Sequence, residues 1–485
     1  MLRITLDVCA SALLVLGVLA SDNGLARVPQ MGWDNWNAFG CDVSEDLLLG
    51  TAEKIVQLGL QDVGYHYVIL DDCWSAGRDD NDTLVADSEK FPNGMAHVAD
   101  RMHDLGLGFG MYSSAGAMTC ARYAGSLGFE EKDAQTFASW GVDYLKYDNC
   151  YNEGQTGDPL TTFNRYKIMA DALNATGRPI LYGMCNWGED SPWKWAQTIA
   201  NSWRMSGDIF DTYNHEDVRC PCSGDEGINC ALPGFHCSMA NILNKVAPFV
   251  DKGNPGAWND LDMLEIGNGG MTDTEYKLHF TMWSAIKSPL IMGNDIRSMD
   301  APSLSILLHA PILALSQDPD STPAYRRWRH RNAPAHGAGP NETQLWTQSL
   351  SGGDRAIFLL NLGDENATLS TSLADIFFDS GGARSDEAQM NWDVFDLWAN
   401  RMSNEVAGQV VEANSTRGVN ITSTYFNATE MSWADGLAAN DSRLIGQWVG
   451  QMTAGMDWEV EVEPHGAMAY RLRSVGGTSR KRDEL

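Results

Sequence analysis

The sequence has 485 residues and a formal net charge of −30 at pH 7. So acidic a chain repels phosphate groups, which excludes nucleic acid and anionic membranes as partners and favours a neutral ligand. The length exceeds one ordinary hydrophobic core, so we expect a large domain followed by a smaller one.

The N-terminus has the pattern of a secretory signal. An apolar run from Val8 to Ala20 follows the basic residue Arg3 and ends in the cleavage pattern Val18-Leu19-Ala20. A membrane anchor is the alternative, but it requires about 20 apolar residues, and no later segment supplies them. We therefore predict that residues 1–20 are a signal peptide cleaved near Ala20.

From about residue 28 to 315, short apolar runs alternate with helical patterns. This alternation is typical of repeated βα units around a parallel sheet. Eight candidate strands, each followed by a loop and a helix, predict an α/β fold of the (β/α)8 or TIM barrel type. The predicted strands are residues 30–33, 65–70, 108–112, 144–147, 180–184, 202–205, 256–259 and 290–292.

The longest gap between predicted strands, from strand six to strand seven, contains four cysteines. In an oxidising compartment such a cluster predicts disulfides that staple a loop, with a zinc site as the alternative. Loss of Cys9 with the signal peptide leaves nine of the ten cysteines, so at least one thiol stays free or pairs between chains. The clustered cysteines are Cys220, Cys222, Cys230 and Cys237.

Beyond Leu315 the pattern changes to turn-rich sequence and then to a basic run at residues 325–331. We interpret the basic run as an exposed strand or loop that pairs with neighbouring carboxylates, with an acid-binding surface as the alternative. Apolar or alternating runs at 356–361, 392–398, 458–463 and 467–472 predict a C-terminal antiparallel β-sandwich. The predicted domains are a barrel over 21–318, a sandwich over 319–475 and a tail over 476–485.

Sequence signals near and beyond the C-terminal domain concern the secretory route. Six of the eight Asn-X-Ser/Thr sequons lie after residue 330, which indicates a solvent-facing domain. The last residues, Arg482 to Leu485, resemble an endoplasmic reticulum retrieval signal, so we predict secretion with residence in that lumen as the alternative. The sequons are at Asn81, Asn174, Asn341, Asn366, Asn414, Asn420, Asn427 and Asn440.

Acidic residues follow several predicted strands. In a (β/α)8 barrel the carboxyl ends of the strands form the active-site face, so these side chains should meet at one mouth. Carboxylates bind hydroxyls or transfer protons, and aromatic rings stack on sugars, so the set predicts a sugar site. Its acids are Asp71, Asp72, Asp148, Asp208, Asp260 and Asp262, and the tryptophans near them are Trp33, Trp36, Trp74, Trp187 and Trp258.

A metal site is the rival explanation for clustered acids. The ten histidines are scattered, without His-X-His or His-Glu-X-X-His spacing, and no Gly-Lys-Ser/Thr loop would bind a nucleotide phosphate. We therefore expect no metal and no cofactor.

Lys146 and Asp148 are two residues apart, so on a strand both side chains point to the same face. The pair is either a structural salt bridge or a device in which the ammonium lowers the pKa of the carboxyl and keeps a nucleophile ionised. The sequence alone leaves both interpretations open.

Five ordered motifs closely resemble the α-galactosidases of glycoside hydrolase family 27, especially secreted fungal members. They are MGWDNWNAFGC at 31–41, LDDCW at 70–74, YLKYDNC at 144–150, WRMSGD at 203–208 and WNDLDM at 258–263. The resemblance implies retaining hydrolysis of α-galactosides, with Asp148 as nucleophile and Asp208 as acid/base, and it implies no cofactor. It also implies galactose contacts from Trp36, Asp71, Asp72, Tyr112, Cys120, Lys146 and Arg204, with Asp262 near the site.

The same resemblance implies how the cysteines pair. The implied disulfides are Cys41–Cys73, Cys120–Cys150, Cys220–Cys237 and Cys222–Cys230, which leaves Cys185 as the free thiol. Two positions depart from the family pattern: Asp34-Asn35 stands where Asn-Ser is commoner, and Asn186 stands where several relatives have Glu. We expect the first change to alter the wall of the site rather than its chemistry.

The loop after strand five forms the wall at the sugar 2-position in enzymes that resemble this one. Here Cys185 and Trp187 would leave room for a hydroxyl and exclude an acetamido group, although Trp187 as a core aromatic is the alternative. The rival activities are α-N-acetylgalactosaminidase and β-L-arabinopyranosidase. A lectin-like barrel without activity is the non-enzyme alternative; it would be expected to lack one of the catalytic aspartates, and Asp148 and Asp208 are both present. The sequence leaves open whether the protein forms a homo-oligomer.

Overall fold

The computed structural model describes residues 23–214, 237–331, 341–377 and 385–475. The predicted signal peptide, the predicted Cys222–Cys230 pair, Cys220 and the last four residues lie outside the described residues. Cys237 is disulfide-bonded.

Eight parallel strands form one sheet in the order β8-β1-β2-β3-β4-β5-β6-β7. A parallel bridge between Leu264 and Met292 joins the two ends of the sheet, which makes it a barrel. All eight predicted strands are confirmed, with ends that differ by at most two residues. They are β1 (Met31–Asp34), β2 (Tyr67–Ile69), β3 (Gly108–Ser114), β4 (Tyr144–Asp148), β5 (Leu181–Cys185), β6 (Ser202–Arg204), β7 (Trp258–Asp260) and β8 (Leu290–Met292).

Helices cover the barrel, and side chains at their ends fix where they begin. Ser44 Oγ accepts the Leu47 N–H ahead of one helix, and Thr272 and Glu275 form a capping box at another. The prediction of a helix after every strand is wrong after β5, where Pro192–Lys194 and Ala196–Thr198 are short 3-10 turns. The barrel helices are Glu45–Gln57, Gly94–Asp104, Glu130–Ser139, Pro159–Ala175, Met239–Val246, Asp273–Ile286, Ala301–Leu307 and Ala310–Gln317.

The C-terminal domain is an antiparallel β-sandwich. A six-stranded sheet, in the order β9-β10-β11-β16-β13-β14, packs on a second sheet made of β12 and β15, and Leu345, Ile357 and Leu369 belong to the apolar core between them. The four predicted strands are confirmed. The strands are β9 (Tyr325–Arg331), β10 (Glu342–Ser349), β11 (Arg355–Asn361), β12 (Ala367–Ser372), β13 (Trp392–Asp396), β14 (Gln447–Met452), β15 (Asp457–Val462) and β16 (Gly466–Ser474).

The basic run is strand β9, at the edge of the larger sheet. Arg329 Nη2 lies 2.5 Å from Glu342 Oε2 on β10, so the run pairs with a carboxylate of the neighbouring strand as the sequence predicted. The ion pair fixes this edge strand to the sheet.

Between β13 and β14, the chain returns to the barrel through the helices Asn404–Ala413, Trp433–Ala438 and Ser442–Ile445. The Tyr425 hydroxyl in this insertion lies 2.7 Å from Asp62 Oδ2 and 2.9 Å from the Gly59 carbonyl oxygen, so its one hydrogen is donated within this pair of acceptors. Phe426 and Leu437 belong to the same apolar core as the barrel. The sequence patterns gave no sign of this insertion. Every helix among the described residues is too short or too polar to cross a bilayer.

Candidate active site

Asp148 ends β4 at the mouth of the barrel and is 7% exposed. The register of β3 and β4 places Tyr112 opposite Lys146. The Tyr112 hydroxyl donates to Asp148 Oδ2 at 2.9 Å, and the Asn149 N–H donates to Oδ1 at 2.8 Å. Both oxygens of the carboxylate are therefore oriented by the protein.

Lys146 is the centre of a charged cluster beside Asp148. Its Nζ lies 2.5 Å from Asp71 Oδ2 and 3.7 Å from Asp34 Oδ2. Burial would lower the pKa of Lys146, but the charges of Asp34 and Asp71 outweigh it and hold the pKa well above its usual value. Lys146 is thus a permanent cation in this mouth.

Arg204, at the end of β6, is 3% exposed and organises the other side of the mouth. Its Nη2 lies 2.6 Å from Asp262 Oδ2 and 3.0 Å from Asp208 Oδ1, while its Nη1 donates to Cys185 Sγ at 3.4 Å. The Asp208 side chain is 40% exposed. Asp208 is therefore held by one guanidinium and still reaches solvent.

The acidity of Asp148 is set by opposing effects. Burial and then the charge of Asp208 raise the pKa of Asp148 to about 7, while Lys146 and the hydrogen bonds lower it. Lys146 lowers the pKa of Asp148, as one of the two interpretations left open by the sequence supposed, but burial and the second acid outweigh it. The effect of Asp208 shows that the two carboxyls interact electrostatically.

Two disulfides lie at or near the mouth, in the pairing that the resemblance implied. Cys41 is bonded to Cys73 and Cys120 to Cys150, whereas Cys185 is free and buried. Both sulfurs of the second disulfide lie within 4.8 Å of an Asp148 carboxylate oxygen. This spacing would suit a metal, but the sulfurs are bonded to each other and so are not thiolate ligands.

The remaining predicted contact residues also lie in the loops around the mouth. Trp36 is half-buried after β1, and its N–H donates to Asp34 Oδ1 at 2.9 Å. Asp72 accepts the Ala121 N–H at 2.8 Å, and its pKa is raised, chiefly by burial. Trp187, after β5, is 8% exposed and has a φ of 57°, which non-glycine residues rarely adopt.

Three of the tryptophans that the sequence associated with the site are unavailable to a ligand. Trp33, Trp74 and Trp258 are at most 3% exposed. Trp33 Nε1 donates to the Asn294 carbonyl and Trp74 Nε1 to the Tyr112 carbonyl. Trp74 also packs edge-on against Phe137 and Trp140, on and just after the helix Glu130–Ser139. The three side chains are therefore buried in the protein and do not stack on a sugar.

The charge at Asp34 is the site feature that sequence reasoning underestimated. We expected the Asp34-Asn35 change to alter only the wall, but Asp34 lies in the charged cluster with Lys146 and Asp71. Its pKa is raised well above the usual value, by burial and then by the charge of Asp71. Its position at the end of β1 was the available signal.

A cavity at the mouth is lined by some of these groups, although its lining includes neither Asp148 nor Asp208. Its polar lining comes from five different strand ends, which is why residues far apart in sequence meet there. Those lining residues are Asp34, Lys146, Cys185, Arg204, Asp260 and Asp262. A barrel mouth with two interacting carboxylic acids, each near a cationic side chain, is the arrangement of a glycoside hydrolase.

Comparison with known proteins gives the family. A family model described as Alpha galactosidase A matches residues 28–318, and a model of the Alpha galactosidase C-terminal beta sandwich domain matches residues 340–421. An α-galactosidase of Saccharomyces pastorianus is 53% identical over 459 residues, covering 95% of this chain and 96% of that protein. The chain belongs to the α-galactosidase family.

Solved structures show the same similarity along the whole length. An α-galactosidase of Saccharomyces cerevisiae, determined with raffinose, is 52% identical with a TM-score of 0.89, covering 93% of this chain and 99% of that chain. The α-galactosidase I of Mortierella vinacea is 40% identical with a TM-score of 0.76, covering 93% and 98% respectively.

Proposed function

We propose that the chain hydrolyses terminal α-linked galactose with retention of configuration, with Asp148 as the nucleophile and Asp208 as the acid/base. The observation that carries the proposal is the contrast within this pair: Asp148 is enclosed and held at both oxygens, whereas Asp208 is 40% exposed. A nucleophile must be oriented, and an acid/base must exchange protons with water. Membership of the α-galactosidase family supports the choice of sugar.

The reaction takes two steps. In the first, an Asp148 oxygen bonds to the anomeric carbon while the bond to the leaving oxygen breaks, and Asp208 gives that oxygen its proton. In the second, water attacks the anomeric carbon, Asp208 takes a proton from the water, and the ester to Asp148 breaks. Retaining enzymes of this kind place the two carboxyls about 5–5.5 Å apart. The two side chains supply nucleophile and proton, so neither step needs a cofactor.

The other side chains around the mouth would bind and orient galactose. Lys146 and Asp71 form a fixed donor and acceptor pair for sugar hydroxyls, Arg204 orients Asp208, and Tyr112 orients Asp148. We assign Cys185 and Trp187 to the wall at the sugar 2-position. The further contacts are assigned to Trp36, Asp72, Cys120 and Asp262.

Raffinose-type oligosaccharides and other α-galactosides are the proposed substrates, because the similar Saccharomyces cerevisiae enzyme was determined with raffinose. We propose secretion of a mature chain with a barrel over 21–318 and a sandwich over 319–475, after removal of residues 1–20. We expect N-linked glycans at the exposed sequons. A glycan is least expected at Asn414, because the side-chain amide of Asn414 bonds to Lys54 and Gln57 on the barrel.

A panel of para-nitrophenyl glycosides tests the function. We expect efficient hydrolysis of the α-galactoside and weak or no hydrolysis of the α-N-acetylgalactosaminide and the β-L-arabinopyranoside. Asp148→Asn should lose roughly 10⁴-fold or more in kcat, since covalent catalysis is then abolished, while still binding galactose. A chain that binds galactose and hydrolyses none of the three would instead be the lectin-like barrel.

A further inference from the structure

The segment 208–214, which follows β6 and carries Asp208, is fixed to the barrel at several points. The Asp208 carbonyl accepts the Cys237 N–H at 2.7 Å, and the Tyr213 carbonyl accepts the Ala240 N–H at 3.0 Å. The Tyr276 hydroxyl donates to the Asp211 carboxylate at 3.1 Å. Two of these bonds hold the backbone of the segment and the third holds the Asp211 side chain, so Asp208 and Tyr213 lie at the two ends of one fixed segment.

One more contact on this segment comes from the C-terminal domain. His465, in the turn between β15 and β16, stacks on the Tyr213 ring with centroids 3.9 Å apart and planes inclined by 18°. His465 Nδ1 lies 2.7 Å from Glu275 Oε1 on the barrel helix, and Nε2 lies 2.9 Å from Asp364 Oδ1 in the sandwich. The imidazole therefore contacts both domains and the segment 208–214 at one place.

We propose that His465 is a positioning residue for the acid/base step: by holding the Tyr213 ring it keeps the segment 208–214, and so Asp208, in place against the leaving oxygen. The inference rests on the proposed role of Asp208. Tyr213 is 7% exposed, and its hydroxyl has no hydrogen-bond partner among the described residues. The face of the ring, rather than its hydroxyl, is thus what His465 holds.

The charges around the imidazole favour its cationic form. The hydrogen bond to Glu275 raises the pKa of His465, burial opposes the rise, and Asp364 adds to it. Glu463, two residues earlier in the same turn, accepts from Thr274 Oγ1 instead. The stabilisation is therefore fully present below the ordinary histidine pKa of about 6.5 and is lost as the pH rises through the higher folded value.

Glu275, the partner of the His465 imidazole, limits the stability of this contact at low pH. Burial raises the pKa of Glu275, but hydrogen bonds from His465 and Thr272 outweigh it, and the net pKa lies below its usual value. The stabilisation that Glu275 contributes is present above the ordinary glutamate pKa. It is lost as the pH falls through the lower pKa that Glu275 has in the folded protein. The contact is strongest in mildly acidic solution.

The test compares two galactosides that differ in leaving group. In His465→Ala, we expect kcat on raffinose to fall by about 10- to 100-fold, the effect of a small displacement of a reacting group. Hydrolysis of dinitrophenyl α-galactoside should change by less than about threefold, because a good leaving group needs little acid assistance. Tyr213→Ala should show the same split, and the double variant no greater loss than either single one.

Two control variants separate positioning from stability. Tyr213→Phe keeps the stacked ring and should behave like the unmodified enzyme. Arg401→Ala breaks another contact between the domains, the paired bonds to Asp273 at 2.6 and 2.7 Å, and should lower Tm without a leaving-group split.

The outcomes distinguish the inference from the function on which it rests. Equal losses on both substrates in His465→Ala, or none, would overturn the positioning role. Asp208→Ala, measured beside it, should show the larger split of the same kind. Equal losses on both substrates in Asp208→Ala would overturn the acid/base assignment itself, and the positioning role with it.

Discussion

The charge of Asp208 acts on Asp148 across the barrel mouth. Burial makes the larger contribution and the charge of Asp208 the next, and together they raise the pKa of Asp148 to about 7. Asp148 attacks as the carboxylate, so the proportion of enzyme with a reactive nucleophile grows as the pH rises towards that value.

The pKa of Asp148 predicts the pH dependence of the reaction. The kcat/KM on dinitrophenyl α-galactoside, which needs little acid assistance, should fall by about tenfold per pH unit below an apparent pKa of about 7, as Asp148 takes up a proton. In Asp208→Asn the neighbouring charge is gone, so Asp148 should ionise at lower pH and the acidic limb should move to lower pH. An acidic limb that stays unchanged in Asp208→Asn would contradict the effect of Asp208 on Asp148.

The carboxylates at the site were predictable one by one, but their partners were not. Asp71, Asp148 and Asp262 follow apolar runs, and strand ends of a barrel converge whatever the sequence between them. The sequence considered Asp148 as the partner of Lys146, with its role left open, yet the shortest contact of Lys146 is with Asp71, because the residues after β2 supply a carboxylate within reach across the mouth. Spacing along one strand carries no information about its neighbours' side chains.

At the scale of elements, the loop after β5 carries the prediction about specificity. Cys185 is 1% exposed and Trp187 is 8% exposed, so both are fixed by their surroundings. A wall that excludes by bulk loses its selectivity when it is made smaller. Cys185→Ser with Trp187→Ala should raise kcat/KM on the α-N-acetylgalactosaminide by about tenfold and lower it on the α-galactoside.

The ratio of the two kcat/KM values, compared between the unmodified enzyme and the double variant, checks this assignment. An unmodified enzyme that hydrolyses both substrates equally well would place the wall elsewhere. The alternative, in which Trp187 is only a core aromatic, predicts a lower Tm and an unchanged ratio.

The strands could be predicted better than the elements between them. Buried parallel strands are continuous apolar runs, which the sequence displays directly. The segment between β5 and β6 looked like another βα unit, but it is short and contains Pro192, and it forms only 3-10 turns. Two strands of the sandwich have no apolar run that would reveal them. In β12 exposed and buried residues alternate and few are hydrophobic, and β14 is mostly exposed.

At the scale of the whole molecule, part of the C-terminal domain packs into the core of the barrel, while the sandwich has a second core between its sheets. The insertion between β13 and β14 returns to the barrel, and Tyr425 bonds to Gly59 and Asp62 there. Sequence patterns indicated a barrel followed by a sandwich domain. Only long-range contacts show that the C-terminal domain also packs against the barrel and stabilises it. His465 is a second such contact, beside the segment that carries Asp208.

The last four residues carry the prediction about where the molecule goes after synthesis. If Arg482 to Leu485 form a working retrieval signal, then their deletion should increase the amount of enzyme in the medium about severalfold, because retrieval from later compartments stops. Activity in the medium and in the cells of the native host, with and without the deletion, measures the partition. An unchanged partition would make the motif incidental and agree with secretion.

The central claim is that Asp148 attacks the anomeric carbon, and the most direct test is to trap the intermediate that this attack forms. A fluorinated galactosyl fluoride, which forms the glycosyl ester quickly and hydrolyses slowly, would be incubated with the enzyme before proteolysis and mass spectrometry of the peptides. We predict one added sugar per chain, on the peptide that contains Asp148 and on that side chain. A sugar attached to Asp208 or to another residue, or inactivation without any covalent sugar, would contradict the account.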